Sequence, residues 1–102
     1  MTTQEIKTLI AGVDPKAKRY KSTRQGNYTV WGEYRRIQPD GETIDGYGWM
    51  FEIDRYTKDD DDPVAAAIEE ALIADDRVSY TYDVYYEIDT GYIRHVFDCR
   101  GI

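Results

Sequence analysis

The chain has few of the residues with which enzymes and metalloproteins usually work. Its 102 residues include one cysteine, Cys99, one histidine, His95, and two serines, Ser22 and Ser79. A lone cysteine excludes an intrachain disulfide and a thiolate cage for a metal built from one chain. No nucleophile flanked by glycines and no glycine-rich phosphate loop occurs beside them. The composition therefore predicts a protein without catalytic residues, without a metal and without another cofactor.

Long apolar runs are also missing. The longest one extends from Val64 to Ile68, and Glu5 and Lys7 interrupt the first ten residues. A membrane-spanning helix needs about 20 apolar residues, and a signal peptide needs an uninterrupted apolar core. The sequence therefore predicts neither, and it favours a protein that is made and kept in a cytosol-like compartment.

Length and charge set the next limits. A chain of 102 residues is predicted to form a single domain, residues 1–102, with one core of two packed layers. The net charge is −7, and it is unevenly spread: residues 1–51 carry 8 basic and 6 acidic residues, whereas residues 52–102 carry 5 and 14. The second half should repel a phosphate backbone, because like charges meet there.

Two stretches have the spacing of amphipathic helices. Thr2 and Glu5 form a capping-box pair, and the following apolar residues predict a helix from residue 3 to about residue 12. Asp62 as N-cap and Pro63 at the first helical position predict the start of a second helix. The apolar residues of the two helices are Ile6, Leu9, Ile10 and Val13, and then Val64, Ile68, Ala71 and Leu72.

Four stretches alternate as β-strands do. The first runs from Asn27 to Ile37 and is followed by a long hairpin connection, residues 38–47, with turns at Pro39-Asp40-Gly41 and Asp45-Gly46. The second starts at Trp49, the third runs from Val78 to Asp89, and the fourth runs from Tyr92 to about Cys99. The predicted fold is α+β: two layers, a four-stranded and mainly antiparallel sheet, and two helices on one face, in the order α-β-β-α-β-β.

The alternation also predicts what each face of the sheet carries. On the helix side we expect Trp49, Phe51, Ile53, Val78, Tyr80, Tyr82, Val84, Tyr86, Ile88, Ile93, His95, Phe97 and Cys99. On the other side we expect Glu52, Asp54, Asp83, Glu87, Asp89 and Asp98 among Tyr56, Tyr85 and Tyr92. The second set is too charged for a dry core, so it is predicted to meet water or an acidic passage.

Three features could indicate sites, and each has a simpler interpretation. The run Asp59–Asp62 lacks the alternate spacing of a calcium loop and suits the positive end of the helix that follows it. His95 and Cys99 lie about 13 Å apart along a strand, too far to share one ion. Residues 16–24 hold Lys16, Lys18, Arg19, Lys21 and Arg24 around Tyr20, which fits nucleic-acid stacking or, with more weight, a solvated loop or a surface that docks on an acidic neighbouring chain.

The order of these elements resembles that of the small tail-terminator proteins, also called tail-completion or head-tail joining proteins, of long-tailed bacteriophages and prophages. The similar features are the short N-terminal helix, a strand such as Tyr28-Thr-Val-Trp-Gly-Glu-Tyr, and Met50-Phe-Glu-Ile-Asp-Arg-Tyr-Thr-Lys-Asp-Asp-Asp-Asp-Pro before a helix. The tyrosine-rich pair from Val78 to Asp98 completes the likeness. The chain departs from many members in its basic segment, residues 16–24.

The resemblance implies a virion structural protein that forms a hexameric ring. Such a ring caps the finished tail tube, joins it to the head connector, and lets DNA pass without binding it specifically or touching a membrane. The expected location is the head-tail junction of the virion, after assembly in the bacterial cytoplasm. The candidate acidic lining of the ring is Asp59, Asp60, Asp61, Asp62, Glu52, Asp54, Asp83 and Glu87, and the candidate protein interface is Lys16, Lys18, Arg19, Lys21, Arg24, Tyr56, Tyr85 and Tyr92.

A function from another class stays open. A small acidic phage protein could imitate DNA by presenting carboxylates at phosphate-like spacing, and so inhibit a host enzyme that acts on nucleic acid. Such a protein would act as a monomer or dimer in complex with a basic host protein. The mass of the assembly separates these two interpretations.

Overall fold

A computed structural model describes residues 1–38 and 48–102 of the chain. Its helices are α1, Thr3–Val13, and α2, Pro63–Ala74. Its strands are β1, Lys18–Arg19; β2, Tyr28–Ile37; β3, Gly48–Thr57; β4, Val78–Tyr86; and β5, Ile93–Gly101. The α+β class and the two helices are as predicted. The hairpin connection with its two turns lies, apart from residue 38, outside the described residues.

The sheet has five strands in the order β1-β2-β3-β5-β4, and it is mixed. Neighbours from β2 to β4 are antiparallel, but β1 runs parallel to β2, with Lys18 opposite Val30 and Arg19 opposite Trp31. The prediction of a four-stranded, mainly antiparallel sheet is therefore wrong in the number of strands, because the short parallel strand β1 is added at one edge. The sequence predicts a loop for residues 16–24. A strand of two paired residues is too short to show the alternating pattern that would reveal it.

Both helices begin as the sequence predicts. Thr2 accepts a hydrogen bond from the Glu5 N–H while Glu5 accepts one from the Thr2 N–H, which completes the capping box of α1. The Asp62 side chain accepts a hydrogen bond from the Ala65 N–H at the start of α2, and Pro63 follows the cap. Each cap satisfies backbone donors that have no partner inside the helix.

One face of the sheet, here called the covered face, packs against both helices. Its core contains Ile6 and Ile10 from α1, Ile68 and Leu72 from α2, and from the strands Trp31, Phe51, Ile53, Phe97 and Cys99. The faces predicted for β3 and β5 are confirmed. Burial raises the pKa of the Cys99 thiol, which packs as a small apolar side chain as expected.

The prediction for β4 is confirmed in its first half and wrong in its second. Tyr82 stacks on Phe97 with ring centroids 4.3 Å apart, and Val78 and Tyr80 are also partly buried against the core. Val84, Tyr86 and Ile88 instead have 55%, 67% and 84% of their surface exposed. β4 ends at Tyr86, so Ile88 falls in the connection to β5, where Gly91 adopts a positive φ that glycine tolerates.

Candidate functional site

The second face of the sheet, here called the open face, has no helix over it in the part of the chain that the structure describes. The strand registers place its residues in rows across the sheet. The three central rows are Tyr28, Tyr56, Arg94 and Tyr85; then Val30, Asp54, Val96 and Asp83; then Gly32, Glu52, Asp98 and Thr81. The expected mixture of carboxylates and tyrosines is therefore on one face, and the central rows also contain Arg94, which the sequence analysis did not single out.

Arg94 neutralises part of this carboxylate group. Its Nη2 lies 3.1 Å from Asp54 Oδ2 and 3.8 Å from Glu52 Oε2. Burial raises the pKa of Glu52, the neighbouring Asp54 raises it further, and Arg94 opposes both effects. Asp54 is 9% exposed, so of the predicted lining residues on this face it is the least able to meet a partner.

A groove of about 430 Å³ lies between these carboxylates and β2. Tyr20 and Tyr34 stand on its walls, and Tyr20 lies so close over Gly32 that any side chain at Gly32 would collide with the ring. The Tyr34 hydroxyl donates to Asp98 Oδ1 at 2.6 Å. That hydrogen bond, aided by burial and by the Asp98 charge, raises the pKa of Tyr34 to about 12.

A cluster of three tyrosines occupies the other end of the open face. Tyr28 and Tyr56 stack with centroids 4.7 Å apart, and Tyr92 meets both rings edge-on. The Tyr92 hydroxyl donates to the Gly26 carbonyl at 2.7 Å, and the Lys58 ammonium lies 3.9 Å above the Tyr92 ring. Tyr56 and Tyr92, predicted as interface residues, thus make contacts within the chain, while Tyr85 is 54% exposed.

The basic segment, residues 16–24, runs along the edge of β2. Arg19 forms an ion pair with Glu33, and the Tyr20 hydroxyl also donates to that carboxylate. Burial alone would raise the pKa of Glu33, but hydrogen bonds from Tyr20 and Arg19 lower it overall. Arg19 is therefore held within the chain. In residues 1–38 and 48–102 no carboxylate lies within ion-pair distance of the exposed Lys16, Lys18 and Lys21.

The four aspartates before α2 do not form one unit. Asp60 and Asp61 are exposed, and Asp59 accepts a hydrogen bond from the Asn27 amide at 2.8 Å. Asp62, whose side chain is 3% exposed, caps α2 and pairs with Arg55 at 2.9 Å. Its burial would raise its pKa, but Arg55 and the Ala65 N–H lower it overall. Asp62 therefore cannot line a passage, contrary to its inclusion among the lining candidates.

Arg55 is a structural residue that the sequence analysis missed. On β3 it follows Trp49, Phe51 and Ile53 on the covered face, and its guanidinium is 2.9 Å from Asp62, 3.7 Å from Asp14 and 3.3 Å from the Thr29 hydroxyl. The signal was a lone charge at a core position of an alternating strand. Such a charge needs a buried partner.

The last predicted residues lie on and beyond β4. Asp83 is exposed on the open face, and Glu87, in the connection to β5, accepts a hydrogen bond from the Thr90 hydroxyl at 3.1 Å. His95 is buried on the covered face, where the Tyr82 hydroxyl lies 2.6 Å from its Nδ1. Burial, with a contribution from Arg55, lowers the pKa of His95, and Asp62 opposes this.

Within the described ranges, no group of three or more histidine, cysteine, aspartate or glutamate residues is placed to hold a metal ion. In the same part of the chain no helix has the length and apolar character needed to cross a membrane. No family model matches the chain, and no curated protein matches it. The open face and the two edges of the sheet are therefore the features that bear on function.

Proposed function

We propose that this chain is a structural subunit of a phage or prophage virion, a tail terminator that assembles into a hexameric ring. The ring would cap the tail tube, stop its growth and join it to the head connector. It would work at the head-tail junction after assembly in the bacterial cytoplasm, without a catalytic step. The order of elements that resembles this family includes α1, the strand β3 that leads through an aspartate run into α2, and the pair β4 and β5.

The observation that carries the proposal is the division of the sheet into a covered and an open face. The covered face holds the core, so the open face is available for other molecules. Glu52, Asp83 and Asp98 there carry negative charge, and Tyr56 and Tyr85 lie in the neighbouring row across the sheet. A passage with this surface would let DNA move through, because each phosphate meets like charge instead of a lysine or arginine that would hold it.

The same carboxylates could belong to an inhibitor that imitates DNA. The open face is a poor imitation, because Arg94 lies among the carboxylates and Arg100 is on the same face. A DNA mimic gains affinity from an uninterrupted array of negative charge, and a positive charge within the array interrupts it. A lining that must only avoid binding phosphate tolerates such a mixture. The geometry therefore favours the ring subunit.

The test is the assembly state of the purified chain, alone and with tubes of the tail-tube protein from the same phage. Mass measurement and negative-stain microscopy should show hexameric rings or caps on the tube ends. A phage that lacks the chain should make tails of uncontrolled length. A persistent dimer that binds a host polymerase or nuclease and ignores tube ends would overturn the proposal in favour of the inhibitor.

A double variant tests the proposed acidic lining of the ring separately. In the double variant Glu52→Lys with Asp98→Lys, rings should still form, because neither residue lies at an edge of the sheet. These rings should retain DNA at low salt, whereas wild-type rings should not. Wild-type rings that hold DNA as tightly as the variant would exclude an acidic passage.

A further inference from the structure

The two edges of the sheet differ, and the difference indicates how one copy meets the next. β1 and β4 are the outermost strands, and within residues 1–38 and 48–102 no strand pairs with the outer side of either. An unpaired edge presents a row of N–H and C=O groups that can pair with another chain. β1 has only two residues, and the Arg19 carbonyl already accepts a hydrogen bond from the Lys21 N–H, so β4 is the edge with a free row of backbone groups.

The outer edge of β4 is long and has little to prevent pairing. Its nine residues, Val78–Tyr86, include four tyrosines and two valines and contain one charge, Asp83. Natural edge strands are usually protected by lysine, proline or bulges, and β4 has none of these. An edge of this kind is a typical site for an added strand.

The backbone bonds show which residues of β4 are turned outward. Ile102 N–H donates to the Arg77 carbonyl at one end of the β4–β5 pair, and Glu87 N–H donates to the Tyr92 carbonyl at the other. Bonding alternates along an antiparallel pair, so odd-numbered residues of β4 face β5 and even-numbered residues direct their N–H and C=O groups outward. Tyr80, Tyr82, Val84 and Tyr86 thus form the outward row.

An exposed apolar corner lies at the end of this edge. Val84 and Tyr86 are more than half exposed on the side of the sheet that the helices cover elsewhere, and Ile88, in the connection that follows, is 84% exposed. Exposed apolar side chains that lie together mark interaction sites. Burial of these side chains would stabilise a contact along β4 in addition to its backbone hydrogen bonds.

Charge separates the two possible arrangements of a second copy. Residues 75–90, around β4, carry five acidic residues and one basic residue, whereas residues 16–24, around β1, carry five basic residues and none that is acidic. Two β4 edges would bring like charges together. A β4 edge facing the basic segment of the next copy would bring opposite charges together, and Lys16, Lys18 and Lys21 are exposed for this contact.

We infer that the outer edge of β4 binds the basic segment, residues 16–24, of a second copy of this chain. The inference deepens the proposed ring assembly and rests on it, since it names the surfaces that join neighbouring subunits. The contact is head-to-tail, because the two surfaces are different and lie at opposite ends of one sheet. Head-to-tail contacts that close form rings, whereas a contact between two identical edges stops at a dimer.

Two variants each remove one surface. Val84→Pro takes away an outward N–H without breaking a hydrogen bond to β5, a position where an edge strand tolerates proline. Its matched control, Val84→Thr, keeps the N–H and the branched side chain. Lys18→Glu with Lys21→Glu reverses the basic segment at two exposed residues. Far-UV circular dichroism and thermal unfolding should show each variant folded like the wild type.

The decisive experiment mixes the two variants and measures mass from micromolar to millimolar concentration. Each alone should stay at the 11.9 kDa of one chain, and the mixture should form a one-to-one pair of twice that mass and nothing larger. The pair should dissociate as salt rises, and Val84→Thr should assemble as the wild type does. Dimers of the Lys18→Glu, Lys21→Glu variant alone would overturn the head-to-tail contact, as would a mixture that stays monomeric.

The failure of this contact is distinguishable from the failure of the proposed function. If the wild type caps tail tubes as a ring and both variants do so too, the function stands and the β4 contact is wrong. If the variants pair as expected but the wild type ignores tube ends, the contact stands and the tail-terminator function is wrong.

Discussion

Arg55 and Arg94 are neighbours across β3 and β5, yet they belong to opposite faces of the sheet. Arg55 lies opposite His95 on the covered face, and Arg94 lies opposite Tyr56 on the open face. The Arg55 side chain is 8% exposed and contacts Asp62, Asp14 and Thr29, whereas the Arg94 side chain is 32% exposed and contacts Asp54 and Glu52. The same residue type therefore works in two different environments.

The difference shows what each face is built to do. Arg55 joins the C-cap of α1, the N-cap of α2 and strand β2 at one point, so it holds the helix ends against the sheet. Arg94 offsets negative charge on a surface that water still reaches. Buried ion pairs are costly to break because an uncompensated charge remains, while exposed pairs contribute little. Stability should thus depend on the covered face and binding on the open face.

The largest expected effect comes from Arg55→Ala. The change leaves the buried carboxylate of Asp62 without its cation, so the free energy of unfolding should fall by about 3–5 kcal/mol. Urea denaturation followed by circular dichroism measures this loss. Arg94→Ala is the matched control on the open face and should cost less, about 1–2 kcal/mol, because Arg94 is partly exposed and solvent screens its pair with Glu52, although Asp54 loses a cation. Equal losses for the two variants would contradict the comparison.

A smaller effect is expected from Asp62→Asn, and it should depend on pH. Asparagine keeps the N-cap acceptor but loses the charged hydrogen bond to Arg55, at a cost of about 2 kcal/mol near neutral pH. The pKa of Asp62 is lowered by folding, so its contribution is present above the unfolded pKa and is lost as pH falls through the folded pKa. Denaturation between pH 7 and pH 2 should therefore show a flatter acid limb for the variant; parallel curves would exclude this role for Asp62.

The sequence predicted most of the covered face because alternation and capping are local signals. Asp62 and Pro63 marked the start of α2, and the alternation of β3 and β5 gave the buried side of each strand. The sequence did not show where along β4 the helices stop covering the sheet. The twelve residues of α2 span about 18 Å, whereas the nine of β4 span about 30 Å, so the helix cannot reach the end of the strand. Val84 and Tyr86 continue the pattern of Tyr80 and Tyr82 but are more than half exposed.

The sequence predicted which kinds of residue lie at the candidate site, but not which charged residues form ion pairs there. The carboxylates and tyrosines of the open face follow from period-two spacing. Which charges neutralise each other depends on contacts between distant residues, such as Arg19 with Glu33 and Arg94 with Asp54. For this reason Asp54, Asp62 and Arg19 were predicted as surface residues although each is paired within the chain. Two-residue β1 carried no pattern at all.

Two tyrosines with equal hydrogen-bond lengths extend the comparison between the covered face and the open face. Tyr82 on the covered face has its hydroxyl 2.6 Å from His95 Nδ1, and Tyr34 on the open face donates to Asp98 at 2.6 Å. Tyr82→Phe should cost about 1 kcal/mol of unfolding free energy, since a buried nitrogen loses its partner. Tyr34→Phe should change it by less than about 0.5 kcal/mol, because water replaces the lost hydroxyl. Thermal unfolding of the two variants measures the difference, and a larger loss for Tyr34→Phe would contradict it.

The smallest effect on stability is expected from Asp98→Asn, where the informative change is in titration. The Asp98 carboxylate is the main cause that raises the pKa of Tyr34 to about 12. Without that negative charge the phenolate costs less to form, so the pKa of Tyr34 should move back toward 10. NMR of ring-labelled tyrosine, with Tyr34→Phe to assign the resonance, follows this shift. The wild type should lose stability as pH rises from 10 toward 12, and the variant should lose less over the same window, because its folded and unfolded pKa values are closer. An unchanged Tyr34 titration in Asp98→Asn would show that the open face raises this pKa through burial and not through its carboxylates.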